Sequence, residues 1–422
     1  MNYYLVGIKG TGMSAVAVIL KSLGNYVKGS DKSDYYFTEE SLIKNNIEYE
    51  LFNDNISSDY IYIISSAYDK NNICVNKIIE NGYEYYYYHD FINNYFKGIK
   101  IGVCGSHGKT TTTSIITKLF EDEKICALIG DGTGIGNVNY NYFIFEACEY
   151  KEHFLNYTYD YLIITNIDYD HPDYFKNECE YINAFNKVSK LSKCLICNGD
   201  DENIKKINHQ NKITYGFNYD NDYVIEKVNK YNNGYIINIV SSKTTQKLYI
   251  PLFGLHNIMN VLSAIVLIYE LGLDINIQKK IYKYNLPKRR MDEKIYKSNI
   301  IITDYAHHPT EIKSLLSAIK EKYNKDIIVI FQPHTYSRTL ILKDDFKLCF
   351  QDAYKLYLMN TFTSREEFNI EKENEVIRIF KESYSMCELY NDSIMNALKN
   401  GKNKVILLLG AGNIDSKMKE FM

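Results

Sequence analysis

The chain has 422 residues, too many for one ordinary hydrophobic core, so two or three domains are expected. Hydrophobic residues make up 45% of the chain and charged residues 24%, which is typical of soluble globular domains. The formal net charge of -3 excludes the broad basic field of a nucleic-acid-binding protein, so any anionic ligand must be held by local groups.

The sequence shows no membrane or export signal. Its longest apolar stretch, residues 261–268, is interrupted by Ser263 and is too short to span a bilayer. The N-terminus lacks the charged and apolar parts of a signal peptide, so we expect a cytoplasmic protein. The nine cysteines fit reduced thiols packed in cores. Cys194 and Cys197 have CxxC spacing, but no second pair supports a zinc or redox site.

The first region, residues 1–97, is predicted to alternate strands and helices. A strand at residues 3–6 leads into a glycine turn at residues 7–12, and a second strand ends at Asp31, as in dinucleotide-binding folds. The turn has the pattern GxxGxG rather than GxGxxG, so it favours a phosphate-bearing ligand at a helix N-terminus over a nicotinamide cofactor. The run Tyr85–Tyr88 is predicted to lie in a buried strand, because no basic groove accompanies it that would suit stacked nucleic-acid bases.

The second region, residues 98–286, opens with a phosphate-binding pattern between a strand at residues 99–103 and a predicted helix. The pattern consists of Gly105, Ser106, His107, Gly108, Lys109, Thr110 and Thr111. Backbone N–H groups of such a turn face anionic oxygens, while Lys109 reaches the terminal phosphates and Thr110 holds Mg²⁺. Only two residues separate the two glycines, fewer than in the usual Walker A loop. A tight turn that needs glycine only for backbone freedom is therefore the structural alternative.

Two further strands of the second region end in polar residues, where a doubly wound sheet places its ligands. Glu146 follows the strand at residues 143–145, and a carboxylate in this position of a P-loop domain binds Mg²⁺. The alternative for Glu146 is an exposed acid at a strand end. The strand at residues 161–164 precedes a polar run, residues 165–173, in which three carboxylates surround His171 and suit a metal or an acid–base role.

The end of the second region is predicted to contain an edge meander, residues 219–248, and a long helix from Asn257 to Leu271. Asparagine is a good N-cap, so a structural role explains Asn257 equally well. Asn260 lies one turn further on, where its amide can hydrogen-bond the edge of a base.

The third region, residues 287–422, opens with the basic triplet Lys288-Arg289-Arg290. Arginine suits bidentate phosphate recognition, whereas a solvated charge run is the alternative. Predicted strands follow at residues 300–303, 327–331, 356–359 and 405–409. Polar clusters at residues 304–310 and 332–338 come directly after two of these buried strands. This position favours a functional origin over packing.

Taken together and in order, five segments of the sequence resemble the Mur ligase family. They are residues 7–14, 105–112, 165–171, 304–311 and 331–334. The resemblance implies three α/β domains: a Rossmann-like UDP-sugar-binding domain at residues 1–97, a central P-loop ATP-binding domain at 98–286, and a C-terminal Rossmann-like ligase domain at 287–422. It also implies a reaction of peptidoglycan precursor synthesis. ATP phosphorylates the lactyl carboxylate of UDP-N-acetylmuramate, and the amine of L-alanine attacks the acyl phosphate to give an amide, ADP and phosphate.

The resemblance further implies roles for individual residues. The implied catalytic residues are Lys109, Glu146, His171 and Arg338. ATP is expected to contact Gly105, Ser106, His107, Gly108, Lys109, Thr110, Thr111, Asn257, Asn260, Arg290 and Asp304. The UDP-sugar is expected to contact Gly7, Lys9, Gly10, Thr11, Gly12, Met13, Ser14, Asp31, Ser65 and Ser66. L-Alanine is expected to contact Tyr305, His308 and Arg338. Mg²⁺, for which Mn²⁺ is able to substitute, is expected on Thr110, Glu146 and His171.

The chain departs from the family pattern in two places. Met291 and Asp292 follow the arginine pair where many members have phenylalanine and glutamate, which changes the packing beneath the nucleotide but not its charge. Thr335 stands where many members have an arginine, so the clamp for the amino-acid carboxylate is expected to rest on Arg338 alone.

Three other functions are alternatives to the alanine-adding ligase. A peptide-recycling ligase would use the same UDP-sugar and a roomier amine site. A catalytically weak nucleotide-binding protein is expected to lose catalytic residues, whereas Lys109, Thr110, Glu146 and His171 are all present. A nicotinamide oxidoreductase leaves the phosphate-binding pattern and both C-terminal clusters unexplained. We expect small-molecule substrates, no nucleic-acid or membrane partner, and a monomer or weak dimer.

Overall fold

A computed structural model describes residues 1–421 of the protein. The chain forms three β-sheets of five, ten and six strands. The predicted domain boundaries after residues 97 and 286 fall between consecutive sheets, and as boundaries they stay predictions. Within the described residues, no helix is both long enough and apolar enough to cross a membrane.

The first sheet is fully parallel, with the strand order β3-β2-β1-β4-β5. Its strands are β1 (Asn2–Val6), β2 (Tyr26–Asp31), β3 (Glu48–Leu51), β4 (Ile61–Ile64) and β5 (Tyr85–Tyr87). Its helices are α1 (Thr11–Ser22), α2 (Glu39–Lys44), α3 (Ile73–Glu80) and α4 (Tyr88–Tyr95). The chain crosses from one side of β1 to the other between β3 and β4. The glycine turn after β1 therefore lies at a topological switch point, where such sheets bind ligands.

The predicted buried strand at Tyr85–Tyr88 is wrong in its burial and in its last residue. Strand β5 lies at the edge of the first sheet, so Tyr85 is exposed and the next two tyrosines are only half-buried. Tyr88 begins helix α4 instead of continuing the strand. An edge strand has one open side, and a run of tyrosines tolerates this because each ring carries a polar hydroxyl.

The second sheet has the order β15-β14-β13-β12-β11-β10-β6-β9-β7-β8. Its strands are β6 (Ile99–Cys104), β7 (Ile125–Leu128), β8 (Gly134–Gly136), β9 (Tyr142–Glu146), β10 (Tyr159–Ile164), β11 (Ser192–Asn198), β12 (Lys212–Gly216), β13 (Tyr223–Tyr231), β14 (Gly234–Ser241) and β15 (Thr245–Ile250). Its helices are α5 (Lys109–Leu119), α6 (Glu178–Ser189), α7 (Glu202–Lys205), α8 (Leu255–Glu270) and α9 (Ile277–Tyr282), with a 3₁₀ segment at Tyr150–Asn156.

In this sheet the seven neighbouring strands β13-β12-β11-β10-β6-β9-β7 are all parallel. The remaining pairs, β7–β8, β13–β14 and β14–β15, are antiparallel. The predicted edge meander is thus confirmed. The CxxC pair lies in β11, where Cys194 and Cys197 belong to apolar clusters on opposite faces of the sheet. Because strand side chains alternate between faces, the two thiols cannot share one metal ion.

The third sheet has the order β16-β17-β21-β18-β19-β20, in which only β16 is antiparallel to its neighbour. Its strands are β16 (Asp292–Tyr296), β17 (Asn299–Asp304), β18 (Ile327–Phe331), β19 (Lys355–Leu358), β20 (Cys387–Leu389) and β21 (Val405–Leu409). Its helices are α10 (Pro309–Tyr323), α11 (Tyr336–Ile341), α12 (Lys343–Phe346), α13 (Ile370–Ser383) and α14 (Asp392–Asn400), with a 3₁₀ segment at Ile414–Phe421. Strands β17 and β18 both flank β21, so the polar clusters that follow them share one edge of the sheet.

Two glycines of β8 bring the first region onto the second sheet. A Cβ on Gly134 would lie 2.2 Å from the carbonyl oxygen of Ala15, and a Cβ on Gly136 would lie 2.9 Å from that of Ile19. Helix α1 therefore packs backbone against backbone on this strand, an approach that only glycine permits. The contact fixes the N-terminus of α1, and with it the glycine turn, beside the second sheet.

Candidate active site

Three adjoining cavities lie between the sheets. The outer cavity, of about 530 Å³, lies between the second and third regions. The central cavity, of about 350 Å³, contains the start of α5, and the N-terminal cavity, of about 270 Å³, lies between the first and second regions. The outer and central cavities share Gly108, Arg290 and Glu311. The central and N-terminal cavities share Gly130, Glu146 and Cys148. A ligand in the outer cavity and a ligand in the N-terminal cavity could therefore meet in the central cavity.

The loop between β6 and α5 forms one wall of the central cavity. Gly105 and Gly108 adopt φ angles of +132° and +82°, which favour glycine. A Cβ on Gly105 would lie 2.1 Å from Thr165 Oγ1, and one on Gly108 would lie 2.5 Å from Asn260 Oδ1. Thr165 in turn donates a hydrogen bond of 2.6 Å to the carbonyl of His107. The glycines thus supply both the conformation of the loop and the space for the side chains that hold it.

Lys109 begins α5 and points back across the loop. Its ammonium group donates to the carbonyls of Gly105 and Ser106, at 2.6 and 3.0 Å, and lies 2.9 Å from Glu149 Oε2. Burial raises the pKa of Glu149, but Lys109 and His171 outweigh burial and hold it below its usual value. Glu149, which stands three residues after Glu146, has no role predicted from the sequence.

The predicted metal ligands divide into two positions. Thr110 donates to Glu146 Oε2 at 2.7 Å, and Gly130 leaves room for that carboxylate because its Cβ would lie 1.9 Å from the same oxygen. His171 instead adjoins Glu149, with 3.2 Å between Nε2 and Oε1. Nδ1 of His171 is buried without a hydrogen-bond partner, whereas Oε2 of Glu149 is held by the ion pair with Lys109. Hydroxyl and carboxylate oxygens suit Mg²⁺, and unpartnered buried atoms need a ligand, so the residues present fit a divalent cation.

The outer cavity collects most of the residues predicted to contact ATP. Those that line it are His107, Gly108, Thr111, Asn257, Asn260, Arg290 and Asp304. Ser106, Lys109 and Thr110 line the central cavity, while Gly105 supports the loop through its carbonyl. Arg290 faces both cavities and lies over the ring of Tyr305, 5.3 Å from its centroid. Met291 lines the outer cavity, and its place beneath the nucleotide stays a prediction.

An ion-pair network joins the phosphate loop to the third region. His107 Nε2 lies 3.0 Å from Asp168 Oδ2, and its Nδ1 lies 3.4 Å from Glu311 Oε1. Burial lowers the pKa of His107, but Glu311 and Asp168 raise it to about 10, so the ring is cationic at neutral pH. Thr310, in the first turn of α10, donates a 2.6 Å hydrogen bond to Asp168. His308 also adjoins this cluster, in which a metal ion would have to displace a proton from His107.

Arg338 is fully buried and already bound to a carboxylate. Its Nε and Nη2 contact the two oxygens of Asp170 at 2.8 and 3.3 Å, and its Nη1 donates to the carbonyl of His334 at 3.1 Å. The side chain lines the central cavity. Its predicted role as a clamp for an amino-acid carboxylate stays a prediction. Arg365, which no motif indicated, lines the same cavity and binds both oxygens of Asp173 at 2.7 Å.

The structure separates the residues predicted to bind L-alanine. Tyr305 and Arg338 line the central cavity, but His308 does not. The ring of His308 caps the N-terminus of α10, with its Nε2 3.2 Å from the carbonyl oxygen of Tyr169. The adjacent His307 lines the cavity instead. The imidazole of His308 is thus used by the helix cap, and His307 presents its ring to the cavity, while a contact of His308 with L-alanine stays a prediction.

The N-terminal cavity divides the residues predicted to contact the UDP-sugar. Those that line it are Gly10, Thr11, Gly12, Met13, Ser65 and Ser66. Gly7, Lys9, Ser14 and Asp31 support the turn from behind. The ammonium group of Lys9 binds Glu39 at 3.0 Å, and Asp31 accepts the backbone N–H of Lys9 at 2.7 Å. The hydroxyl of Ser14 donates to the carbonyl of Thr11 at 3.0 Å. A Cβ on Gly7 would lie 2.9 Å from the Cβ of Ser65.

Three side chains with no predicted role complete the N-terminal cavity: Tyr88, His89 and His153. Tyr88 approaches the glycine turn so closely that a Cβ on Gly12 would lie 2.3 Å from its hydroxyl oxygen. No spacing rule indicated these residues, because they come from helix α4 and from the 3₁₀ segment of the second region.

Comparisons with known proteins cover the whole chain. Family models match it in three ranges: "Mur ligase family, catalytic domain" at residues 2–99, "Mur ligase middle domain" at 103–268, and "Mur ligase, glutamate ligase domain" at 289–412. A UDP-N-acetylmuramate–L-alanine ligase of Streptococcus agalactiae is 37% identical, with 100% of this chain and 97% of the relative aligned.

Two solved structures share the fold over the full length of the chain. The UDP-N-acetylmuramate–alanine ligase MurC from Thermotoga maritima superposes with a TM-score of 0.83 at 24% identity, covering 100% of this chain and 98% of that one. A murein peptide ligase from Psychrobacter arcticus superposes with a TM-score of 0.73 at 19% identity, with the same coverage.

Proposed function

This chain belongs to the Mur ligase family, and we propose that it joins L-alanine to the lactyl carboxylate of UDP-N-acetylmuramate with ATP as the phosphoryl donor. The observation that carries the proposal is the row of three connected cavities with the phosphate loop in the middle one. A reaction between a nucleotide and a sugar-linked carboxylate needs this order, because the two anions must meet at one cationic centre.

The outer cavity is proposed to hold ATP, with its terminal phosphate reaching the central cavity past Gly108 and Arg290. Both residues face both chambers. Lys109 and Arg290 supply positive charge where the phosphates pass, and the first turn of α5 adds backbone N–H groups. This arrangement offsets the repulsion between the phosphate and the incoming carboxylate.

The N-terminal cavity is proposed to hold the sugar nucleotide, with its diphosphate at the N-terminus of α1. The lactyl carboxylate would then reach the central cavity past Glu146, which lines both chambers. Thr110 with Glu146, and His171 with Glu149, are the two positions proposed to hold Mg²⁺, which when bound neutralises phosphate charge. The carboxylate oxygen attacks the γ-phosphorus, ADP leaves, and an acyl phosphate forms.

The amine of L-alanine is proposed to enter the central cavity beside Tyr305, His307 and Arg338. Nearby cations favour the free amine over its ammonium form, so the groups that bind the phosphates also favour the nucleophile. Attack on the acyl carbon forms the C–N bond, breaks the C–O bond to phosphate and releases inorganic phosphate, and the proton lost by the amine nitrogen passes to that phosphate. The substrates are small molecules, and we place the reaction in the cytoplasm.

The test is phosphate release from Mg-ATP with UDP-N-acetylmuramate, alone and with L-alanine, glycine, L-serine or a tripeptide. We expect release that requires both the sugar nucleotide and L-alanine. Release only with the tripeptide would instead identify a peptide ligase. If no amine supports phosphate release although ATP binds, both ligase assignments are contradicted.

A further inference from the structure

His89 holds a buried nitrogen without a partner in the wall of the N-terminal cavity. Its Nδ1 is hydrogen-bonded to the hydroxyl of Tyr157, whereas its Nε2 is buried and has no hydrogen-bond partner among residues 1–421. Buried polar atoms are nearly always paired, so each exception needs an explanation. The cavity that His89 lines offers one, because a ligand there can supply the missing partner.

The pairing with Tyr157 indicates which ring nitrogen of His89 carries the proton. Burial raises the pKa of Tyr157 well above its usual value, so the phenol keeps its hydrogen. The hydrogen bond to His89 is the only one formed by the Tyr157 hydroxyl within the described part of the chain. When Tyr157 donates, Nδ1 of His89 is the acceptor and the proton of a neutral ring resides on Nε2.

His89 is neutral under physiological conditions. Burial, with a smaller contribution from His153, lowers its pKa to about 4. The ring of His153 lies 4.3 Å away, and burial lowers its pKa as well. The unpartnered group of His89 is therefore a neutral N–H donor, which suits an uncharged oxygen.

The other residues of the cavity indicate which part of the ligand His89 meets. The glycine turn at the N-terminus of α1 lines it, where a diphosphate is expected, and so does Glu146, which also lines the central cavity that the reacting carboxylate is proposed to reach. Of the described residues that line this cavity, none is a lysine or arginine. Between the two anionic ends of the substrate lies the acetamido sugar, whose hydroxyl and carbonyl oxygens are uncharged acceptors.

We propose that His89 determines specificity for the sugar part of the sugar nucleotide, by donating from Nε2 to an uncharged oxygen of the acetamido sugar, with Tyr157 as the positioning residue that fixes the ring. The proposal rests on the proposed function of the same cavity. In this proposal the glycine turn binds the diphosphate, and helix α4 contributes the residue that recognises the sugar.

The test is calorimetric binding of UDP-N-acetylmuramate and of UDP to the full chain and its variants. His89→Phe keeps an aromatic ring but removes the donor. We expect it to weaken UDP-N-acetylmuramate binding about five- to tenfold while leaving UDP binding unchanged, as for one neutral hydrogen bond. His89→Gln, whose amide reaches a similar position, should recover most of the affinity. His209→Phe, the same change far from the cavity, should change neither affinity.

Equal affinity of His89→Phe and the wild-type chain for UDP-N-acetylmuramate would overturn the inference, and so would equal weakening of UDP, which would place the contact on the diphosphate. Failure of the wild-type chain to bind UDP-N-acetylmuramate would instead overturn the proposed function. If His89→Phe does not fold, Tyr157→Phe decides. It should weaken the sugar nucleotide about two- to fourfold and leave UDP unchanged, and no effect would contradict the inference.

Discussion

The contact between the first and second regions is apolar, whereas the contact between the second and third regions is charged. In the first contact, Phe96 stacks on Phe143 with ring centroids 4.3 Å apart, and α1 lies on the glycines of β8. In the second contact, His107 meets Glu311 and Arg338 meets Asp170. Apolar packing depends little on pH, but ion pairs depend on protonation and on geometry.

The difference indicates which contact can open. The N-terminal cavity lies within an apolar core that spans both regions, so it is expected to remain assembled. The third region is held to the second by ion pairs, and a charged substrate can compete for the same charged side chains. Because catalytic groups come from both sides, closing of the third region over the second is expected to complete the site.

Lys109 lines the central cavity, where the proposed reaction takes place, so its loss should have the largest effect. Lys109→Ala removes the charge that faces the terminal phosphates, and we expect phosphate release to fall by about a hundred- to a thousandfold. Lys118→Ala is the matched control, because Lys118 lies at the other end of α5 and pairs with Glu121. Near-normal turnover by Lys109→Ala would remove the loop from the reaction.

Asp170→Asn breaks the charged contact at its most buried point. Arg338 would be left buried without its counter-charge, which costs about 3–5 kcal/mol. We expect lost hydrogen-exchange protection in α11 and a raised KM for L-alanine. Asp173→Asn breaks the more exposed pair with Arg365 and should cost at most about 1 kcal/mol. Equal effects of the two variants would contradict the ranking by burial.

Gly134→Ala disturbs the apolar contact instead. The added methyl group would lie 2.2 Å from the Ala15 carbonyl oxygen, and such overpacking costs about 1–3 kcal/mol. We expect weaker binding of UDP-N-acetylmuramate with ATP binding unchanged, both measured by calorimetry. Gly136→Ala should weaken the binding of UDP-N-acetylmuramate less, because its methyl group would lie 2.9 Å from the Ile19 carbonyl oxygen. Weaker ATP binding would show that the two contacts are not independent.

The charged contact should weaken in alkali while the apolar one does not. The folded-state pKa of His107 is raised from 6.5 to about 10, so its stabilising effect is complete below pH 6.5 and is lost as the pH rises toward 10. Hydrogen exchange at the start of α10 should therefore accelerate across this range, while exchange in α1 follows only the intrinsic rate. His107→Gln should remove the pH dependence at α10. A pH dependence that persists in this variant would assign it to another group.

The strands, and the cavity-lining residues at their ends, were predictable from local sequence. Apolar runs bounded by glycine or polar residues gave β1, β6, β18 and β21 within one or two residues. Parallel strands end at one edge of their sheet, so the predicted strand-end residues Glu146 and Asp304 line the cavities.

The remaining features depend on contacts between distant segments. His307 and His308 are adjacent in one motif, and only the cap of α10 decides which ring faces the cavity. Lys9 was expected to contact the UDP-sugar, and in the structure Glu39, on the next helix, binds its ammonium group. The pairing of His89 with Tyr157 joins residues 68 positions apart, which no spacing rule foresees.

The most direct test of the proposed reaction follows one oxygen atom. UDP-N-acetylmuramate with ¹⁸O in its lactyl carboxylate is incubated with Mg-ATP and L-alanine, and the released phosphate is analysed by mass spectrometry. If the carboxylate attacks the γ-phosphorus and the amine then displaces phosphate, each inorganic phosphate formed with an amide carries one ¹⁸O. Phosphate without the label would show that water attacks ATP, and would contradict the acyl phosphate route.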